Sequence, residues 1–377
     1  MIIGIDGNEA NVTNRVGIGE YAYQLLLSFY EKATKDISFR IYLKNKPEFD
    51  MPKQTDFFKY EIVGPSKAWT QIALPIALYF SKNRPDIIFT PGHYAPRFSP
   101  VPRVISIMDV AYLRFPDLYN KDDLYQLKHW TKYSALKAKR IFTISQSSKN
   151  DIIKYYNVVP KNVDVTFLGI NENKHTITTT MKEIEQKFGI SGKYILFVGT
   201  LQPRKNIVKL IEAFSLVKKN KEAERVIDNV NMVIVGKKGW KYEEILEAPS
   251  VYGVKECVSF LEFVDDDELT TLYKNALCFI LPSLYEGFGL PILEAMRNDC
   301  PVITSNISSL PEAGGDAALY VDPNSSEDIA KTLTRVISDE KLRKSMIEKG
   351  KTQVKKFSWN KTASETLEGL EEVVHAR

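Results

Sequence analysis

The segment Pro282-Ser-Leu-Tyr-Glu-Gly-Phe-Gly-Leu-Pro-Ile-Leu-Glu294 runs from an apolar strand pattern into a helical one, with two glycines, two acids and a proline at the junction. Pro291 suits the first helical position, where its missing N–H costs nothing. The backbone N–H groups of Gly287, Phe288, Gly289 and Leu290 then lie at or just before a helix N-terminus, where orphan donors and the helix dipole attract phosphate. The glycines let the backbone come close to such a ligand. Glu286 stands in the loop and Glu294 lies eight residues further on. A helical path would separate them by about 12 Å, against the roughly 5 Å of a retaining glycosidase pair. Two separate contacts along an elongated ligand therefore fit better than an acid and nucleophile acting together.

A second loop, Gly199-Thr-Leu-Gln-Pro-Arg204-Lys205-Asn206, also follows a strand pattern and precedes a helical one at 207–218. Arg204 offers a planar fork and Lys205 a compact ammonium, a combination suited to a diphosphate that leaves with developing negative charge. Taken alone, the same residues also fit surface cations beside a helix start. Asp265-Asp-Asp267 matches an acidic metal-binding pattern, but it precedes a helical stretch at 268–276 and reads as an N-terminal cap, where acids favour the dipole. His93, His129, His175 and His375 are scattered, as are Cys257, Cys278 and Cys300. No metal-ligand spacing and no disulfide framework emerges, so neither a bound metal nor another cofactor is expected, and a reducing cytoplasm fits.

These residues need elements to position them. Short β-branched segments at 2–6, 39–43, 87–90, 104–108, 141–145 and 163–168 alternate with helical patterns at 19–31, 67–81 and 122–138. A polar stretch at 169–180 follows, then a helical pattern at 181–188. The rhythm restarts with strands at 194–199, 233–236, 258–261, 278–282 and 302–304, and ends in a helix at 358–376 with Ser358 as its cap. Alternation of this kind predicts parallel sheets wrapped by helices. At 377 residues, two α/β domains are expected, 1–169 and 170–357, with ligands outside the carboxyl ends of their strands and a cleft between the facing sheets. The start Met-Ile-Ile-Gly-Ile-Asp lacks a basic leader and reads as a buried strand. The longest uncharged apolar run, 72–80, is far shorter than the roughly 20 residues of a membrane span.

In combination, the Glu286-x7-Glu294 segment with its Gly-Phe-Gly loop, the Pro-Arg-Lys-Asn loop, Gly17-Ile-Gly19-Glu-Tyr and Asp109 in Ile107-Met-Asp-Val-Ala-Tyr resemble the family-4 retaining glycosyltransferases of the two-Rossmann B fold. That family includes many bacterial mannosyl- and glucosyltransferases, and the resemblance spans nearly the full chain. It implies a nucleotide-sugar donor held by the C-terminal domain and a glycan or lipid-linked oligosaccharide acceptor at the N-terminal one. It implies that Glu286 binds a hydroxyl of the donor sugar, Glu294 the ribose, and Arg204 and Lys205 the diphosphate. Phe263 and Val264 would flank the base, Gly17 and Gly19 would close over the phosphates, and the helix 358–377 would cross back to the N-terminal domain. Transfer with retention, without protein nucleophile or metal, is the mechanism implied. Where many members carry His-Asp, this chain has Met108-Asp109, and methionine makes no useful hydrogen bond. That histidine's role is then lost or passes to a neighbour such as His93, with Asp109 facing sugar or acceptor.

The halves differ in charge: residues 1–169 hold 23 Lys and Arg against 16 Asp and Glu, and residues 170–377 hold 28 against 31. A basic N-terminal half suits peripheral contact with anionic lipid or an anionic acceptor, as well as ordinary solvated surface. The segment 122–140 mixes apolar and basic residues; it fits a membrane-lying helix or one packed on the sheet, and for 69–80 core packing is the simpler account. Nucleic acid is not an expected partner. A dinucleotide oxidoreductase is disfavoured, because ten residues separate Asp6 from Gly17 where a tight turn is required, and the second strand ends without the ribose-binding acid. A sugar- or nucleotide-binding protein without catalysis is the other alternative.

Overall fold

The computed structural model describes residues 1–119, 121–171, 178–220 and 229–376. His175 and the polar stretch from 172 to 177 lie outside the described residues. The chain forms two compact units, residues 1–169 with 357–377, and residues 170–356.

The N-terminal unit contains strands β1 (Ile2–Asp6), β2 (Ser38–Leu43), β3 (Phe58–Ile62), β4 (Ile87–Thr90), β5 (Arg103–Ser106), β6 (Arg140–Thr143) and β7 (Val163–Val165). All pair in parallel, in the order β3-β2-β1-β4-β5-β6-β7. The order reverses between β1 and β4, where the chain stops building one edge and begins the other. Every residue of β4 is buried, as a central strand covered on both faces requires. The edge strand β3, Phe-Lys-Tyr-Glu-Ile, was not expected from the sequence, because its apolar residues alternate with charges over only five positions.

The second unit contains β8 (Lys193–Val198), β9 (Val230–Val235), β10 (Val258–Leu261), β11 (Cys278–Leu281), β12 (Val302–Ser305) and β13 (Ala318–Val321). Their order is β10-β9-β8-β11-β12-β13, again all parallel, and the reversal falls between β8 and β11. The loops leaving β8 and β9 touch directly: a Cβ added at Gly236 would sit 1.9 Å from Gly199 O, so glycine is required there. Helix Ile207–Lys218 occupies its expected residues. The helix expected over 67–81 is shorter, Ala73–Phe80, since residues 67–72 form turns.

Helix Trp359–His375 belongs to the N-terminal unit, where it packs on helix Ile18–Lys32, β4 and β6. Ser358 caps it by accepting from Lys361 N at 3.2 Å. Thr362 Oγ1 donates to Phe167 O at 2.5 Å, and Arg140 joins Asp164 at 2.7 Å to Glu372 at 2.8 Å. A side chain at Gly169 would meet the backbone of Trp359 at 2.2 Å. Gly169→Ala is therefore expected to destabilise the N-terminal unit by about 1–3 kcal/mol, as overpacking against immovable backbone does. Thermal unfolding, with hydrogen exchange of residues 358–376 rising in parallel, checks this; an unchanged melting curve contradicts it.

Candidate active site

The reversal between β8 and β11 sets two loops side by side at the carboxyl ends of neighbouring strands, the position at which open α/β sheets bind ligands. The loop after β8 carries Arg204 and Lys205 in a short 3-10 turn, Pro203–Lys205. The loop after β11 carries Glu286. Lys205 Nζ lies 2.6 Å from Glu286 Oε1, and Arg204 Nη1 lies 3.0 Å from Oε2 while also donating to Tyr285 O. Ser283 Oγ donates to Oε1 at 2.6 Å. The backbone of Glu286 is held too: its N–H donates to Ser308 Oγ at 3.0 Å, and its carbonyl accepts from Ser309 Oγ at 2.8 Å. Asn206, in the left-handed region at φ 62, spans from this turn to Pro282 O and Pro323 O at 3.0 and 2.7 Å.

Glu286 is 7% exposed. Burial alone would raise its carboxyl pKa, but Lys205, then Arg204, and the hydrogen bonds from Lys205 and Ser283 outweigh it and hold it at about 2. Two cations against one carboxylate leave the cluster formally positive. Ser283, Ser308 and Ser309 were not anticipated from the sequence, since a serine without a spacing pattern carries no chemical signal.

Helix Leu290–Arg297 begins beside this cluster, with Gly289 as its N-cap at φ 105 and Pro291 at the second helical position rather than the first. A Cβ at Gly289 would also approach Leu310 to 3.0 Å, so the stretch Gly287, Phe288, Gly289 and Leu290 leads into the helix through a conformation at residue 289 that only glycine takes easily. Glu294 is half-buried one turn further on and accepts from Tyr273 Oη at 3.3 Å. Burial raises its carboxyl pKa, partly offset by Arg297. Glu286 and Glu294 have separate hydrogen-bond partners. Phe263, 79% exposed, and the half-buried Val264 lie between β10 and helix Asp266–Asn275. Asp265 caps that helix, accepting from Glu268 N at 2.8 Å while Glu268 accepts from Asp265 N at 3.0 Å.

In the N-terminal unit, a second group collects where β1, β4 and β5 end. Gly17 is exposed at φ 53 and caps helix Ile18–Lys32, while a side chain on the buried Gly19 would reach Glu9 O at 3.0 Å. His93 follows β4 and Asp109 follows β5. Asp109 Oδ1 accepts from Ala111 N at 2.9 Å. The His93 ring lies 6.3 Å from that of Tyr112, and its buried Nδ1 has no hydrogen-bond partner among the described residues. Burial lowers the pKa of His93, with the Asp109 charge acting in the opposite sense, so the imidazole is neutral at pH 7. Met108 contributes its carbonyl, which accepts from Thr143 Oγ1 at 3.5 Å.

Because the folded pKa of Glu286 lies below its ordinary value, its contribution to stability is fully present above about pH 4.5 and is lost as pH falls toward about 2. Glu286→Gln should cost the C-terminal unit about 3 kcal/mol at pH 7. The gap between variant and wild type should shrink as pH drops below about 4.5. Urea unfolding at pH 7, 5 and 4 measures it, and a gap constant with pH contradicts the ion-pair account.

Residues 180–353 match the family model described as "Glycosyl transferases group 1". O-antigen chain mannosyltransferase B of Escherichia coli is 32% identical over 269 residues, covering 70% of this chain and 68% of the relative. Serotype-specific mannosyltransferase WbdA of Escherichia coli is 33% identical over 239 residues, or 62% of this chain, which spans only 29% of that relative's length. Among solved structures, HepE from Anabaena in complex with UDP and glucose superimposes with a TM-score of 0.72 at 17% identity, covering 98% of this chain and 99% of that one. The structural likeness shows the fold, and the sequence relatives show the family. This chain belongs to the group 1 glycosyl transferases and is a glycosyltransferase of the two-Rossmann B fold.

Proposed function

We propose that this enzyme transfers a hexose, mannose in preference, from a nucleotide-sugar donor to a hydroxyl of a glycan or lipid-linked oligosaccharide, with retention of anomeric configuration and without a bound metal. The observation that carries this reading is the cluster of Arg204, Lys205 and Glu286 at the strand-order reversal of the second sheet. The mannosyltransferase names of two relatives support mannose, and the O-antigen chain named in one supports a glycan acceptor.

The acceptor oxygen attacks C1 of the sugar on the face from which phosphate departs. The C1–O bond to the diphosphate breaks, and the hydroxyl proton passes to the departing phosphate oxygen. Glycoside and nucleoside diphosphate result, with no protein nucleophile. Negative charge grows on the leaving diphosphate, and Arg204, Lys205 and the N–H groups of Gly287 to Leu290 stabilise it, the task a metal performs elsewhere. Glu286 Oε1 receives Lys205 and Ser283, and Oε2 receives Arg204. A carboxylate offers about four lone-pair directions, so Oε2 keeps one for a hydroxyl of the donor sugar. Glu294 takes the ribose, Phe263 and Val264 flank the base, and the loop carrying Gly17 and Gly19 covers the phosphates. His93 and Asp109 contact sugar or acceptor. The reaction belongs in the cytoplasm.

Lys205→Ala should lower kcat/KM by about 10²–10³. In a thermal-shift panel of GDP, UDP, dTDP, ADP and NAD, the wild type should respond to one sugar-donor nucleotide, indifferent to EDTA, with about 2.7 kcal/mol of stabilisation at 100 times Kd. Wild-type turnover by Lys205→Ala, or a shift with NAD alone, overturns the reading, and binding without turnover on any acceptor leaves a non-catalytic protein. His93→Phe should lower kcat/KM by about tenfold or more without lowering the melting temperature, since it replaces an unsatisfied buried nitrogen by carbon. A loss of stability with unchanged kinetics would assign the histidine to packing alone.

A further inference from the structure

Helix Ala73–Phe80 contains no charged residue, yet only part of its circumference is covered. Ala73, Leu74 and Leu78 are buried with Trp69 in one apolar cluster, and Trp69 Nε1 donates to Val63 O at 2.8 Å, which fixes this inner face. At about 100° per residue, Ile72, Ile76, Tyr79 and Phe80 fall on a single arc on the other side. They are 49%, 53%, 47% and 83% exposed. Core packing therefore accounts for one face of the helix, and the other presents four large apolar side chains where a surface helix ordinarily carries polar ones.

The patch continues onto the neighbouring loop. Gln71 Nε2 donates to Ala95 O at 3.3 Å and its Oε1 accepts from Arg97 N at 3.1 Å, which ties the start of the helix to the segment bearing Phe98, 65% exposed. The chain that carries it is mainly basic. From residue 62 to 108 the chain carries five basic residues and a single acid, Asp86, whose carboxylate is engaged by Ile2 N at 2.8 Å. Lys67, Lys82, Arg84 and Arg97 are exposed. Arg84 is held at the carboxyl end of the helix by bonds to Leu78 O and Tyr79 O at 3.1 and 2.9 Å.

Exposed isoleucine and aromatic side chains rimmed by unopposed lysine and arginine match the boundary of an anionic bilayer, whose acyl edge accepts the former and whose headgroups attract the latter. We propose that the outer face of helix Ala73–Phe80, with Phe98, inserts shallowly into an anionic lipid surface and holds the enzyme there. The helix Lys121–Lys137 turns Leu124 and Leu127 toward the core of the unit and leaves Tyr125, Trp130 and Leu136 exposed. The inference deepens the lipid-linked acceptor reading, but binding to lipid requires neither donor nor turnover.

Flotation of the full chain with vesicles of phosphatidylethanolamine and phosphatidylglycerol, and with phosphatidylcholine alone, tests it. Wild type should float with the anionic vesicles only, and less so at high salt. The double variant Ile76→Asp with Phe80→Asp, and separately Lys67→Glu with Lys82→Glu, should bind at least about tenfold more weakly at unchanged melting temperature. Phe80→Trp should show emission that shifts to the blue and is quenched by brominated acyl chains. The proposal fails if wild type does not float with anionic vesicles, or if the aspartate pair binds as wild type does. It fails equally if sedimentation reveals self-association that the aspartate pair abolishes, for then a second copy covers the face. Transfer to a lipid-free acceptor by the aspartate pair should be unchanged, so loss of vesicle binding bears on this inference and loss of transfer in Lys205→Ala bears on the active site.

Discussion

The carboxylate of Glu286 is the point on which the loop architecture of the second unit depends. A buried acid is costly unless paired, and so are the two cations beside it. Their mutual placement removes three penalties at once and fixes loops that leave β8 and β11. The serines add a third segment, because Ser308 and Ser309 follow β12 and bind the backbone of Glu286. Groups held this way do not have to be organised again when a charged ligand arrives, which is the condition under which fixed charges lower a barrier most.

The two sheets apply one topological rule to different electrostatics. In the second sheet the strand-order reversal gathers permanent charges that compensate one another. In the first it gathers a depressed histidine and an exposed glycine turn, and the cation of that loop, Arg15, is spent on Asp50 at 2.5 Å and on the ring of Tyr23 at 3.9 Å. Asp6, at the end of β1, is buried with Asn8 as its hydrogen-bond donor, and burial pushes its carboxyl up to about 6. The second unit thus gathers compensated fixed charges at its reversal, and the first gathers a neutral imidazole near the charge of Asp109.

Much of this was legible in the sequence because it rests on local pattern. Strand and helix periodicity located most elements, and Asp265 was readable as a cap because capping is a matter of four neighbouring residues. The strands β3 and β13 were missed for the reverse reason. The former is a short edge with alternating charge, and the latter is four residues directly after a helix turn, so neither offers a window long enough to show a period. The serines around Glu286 and the unpartnered nitrogen of His93 become visible only when segments far apart in the chain are brought together. The outer face of Ala73–Phe80 is the sharpest case. Its residues read as core by composition, and only the fold tells which of them find a core to enter.

The return of helix Trp359–His375 to the first unit also orders events during synthesis. The chain makes β1 to β7, then the whole of the second unit, and only afterwards the helix that lies against β4, β6 and Gly169. On the ribosome the first unit waits with an apolar flank uncovered, including the surface around Phe142 that Gly369 later contacts. The second unit, continuous in sequence, has no such dependence and can complete itself in the interval. The first-made half of the enzyme is therefore the last to finish folding.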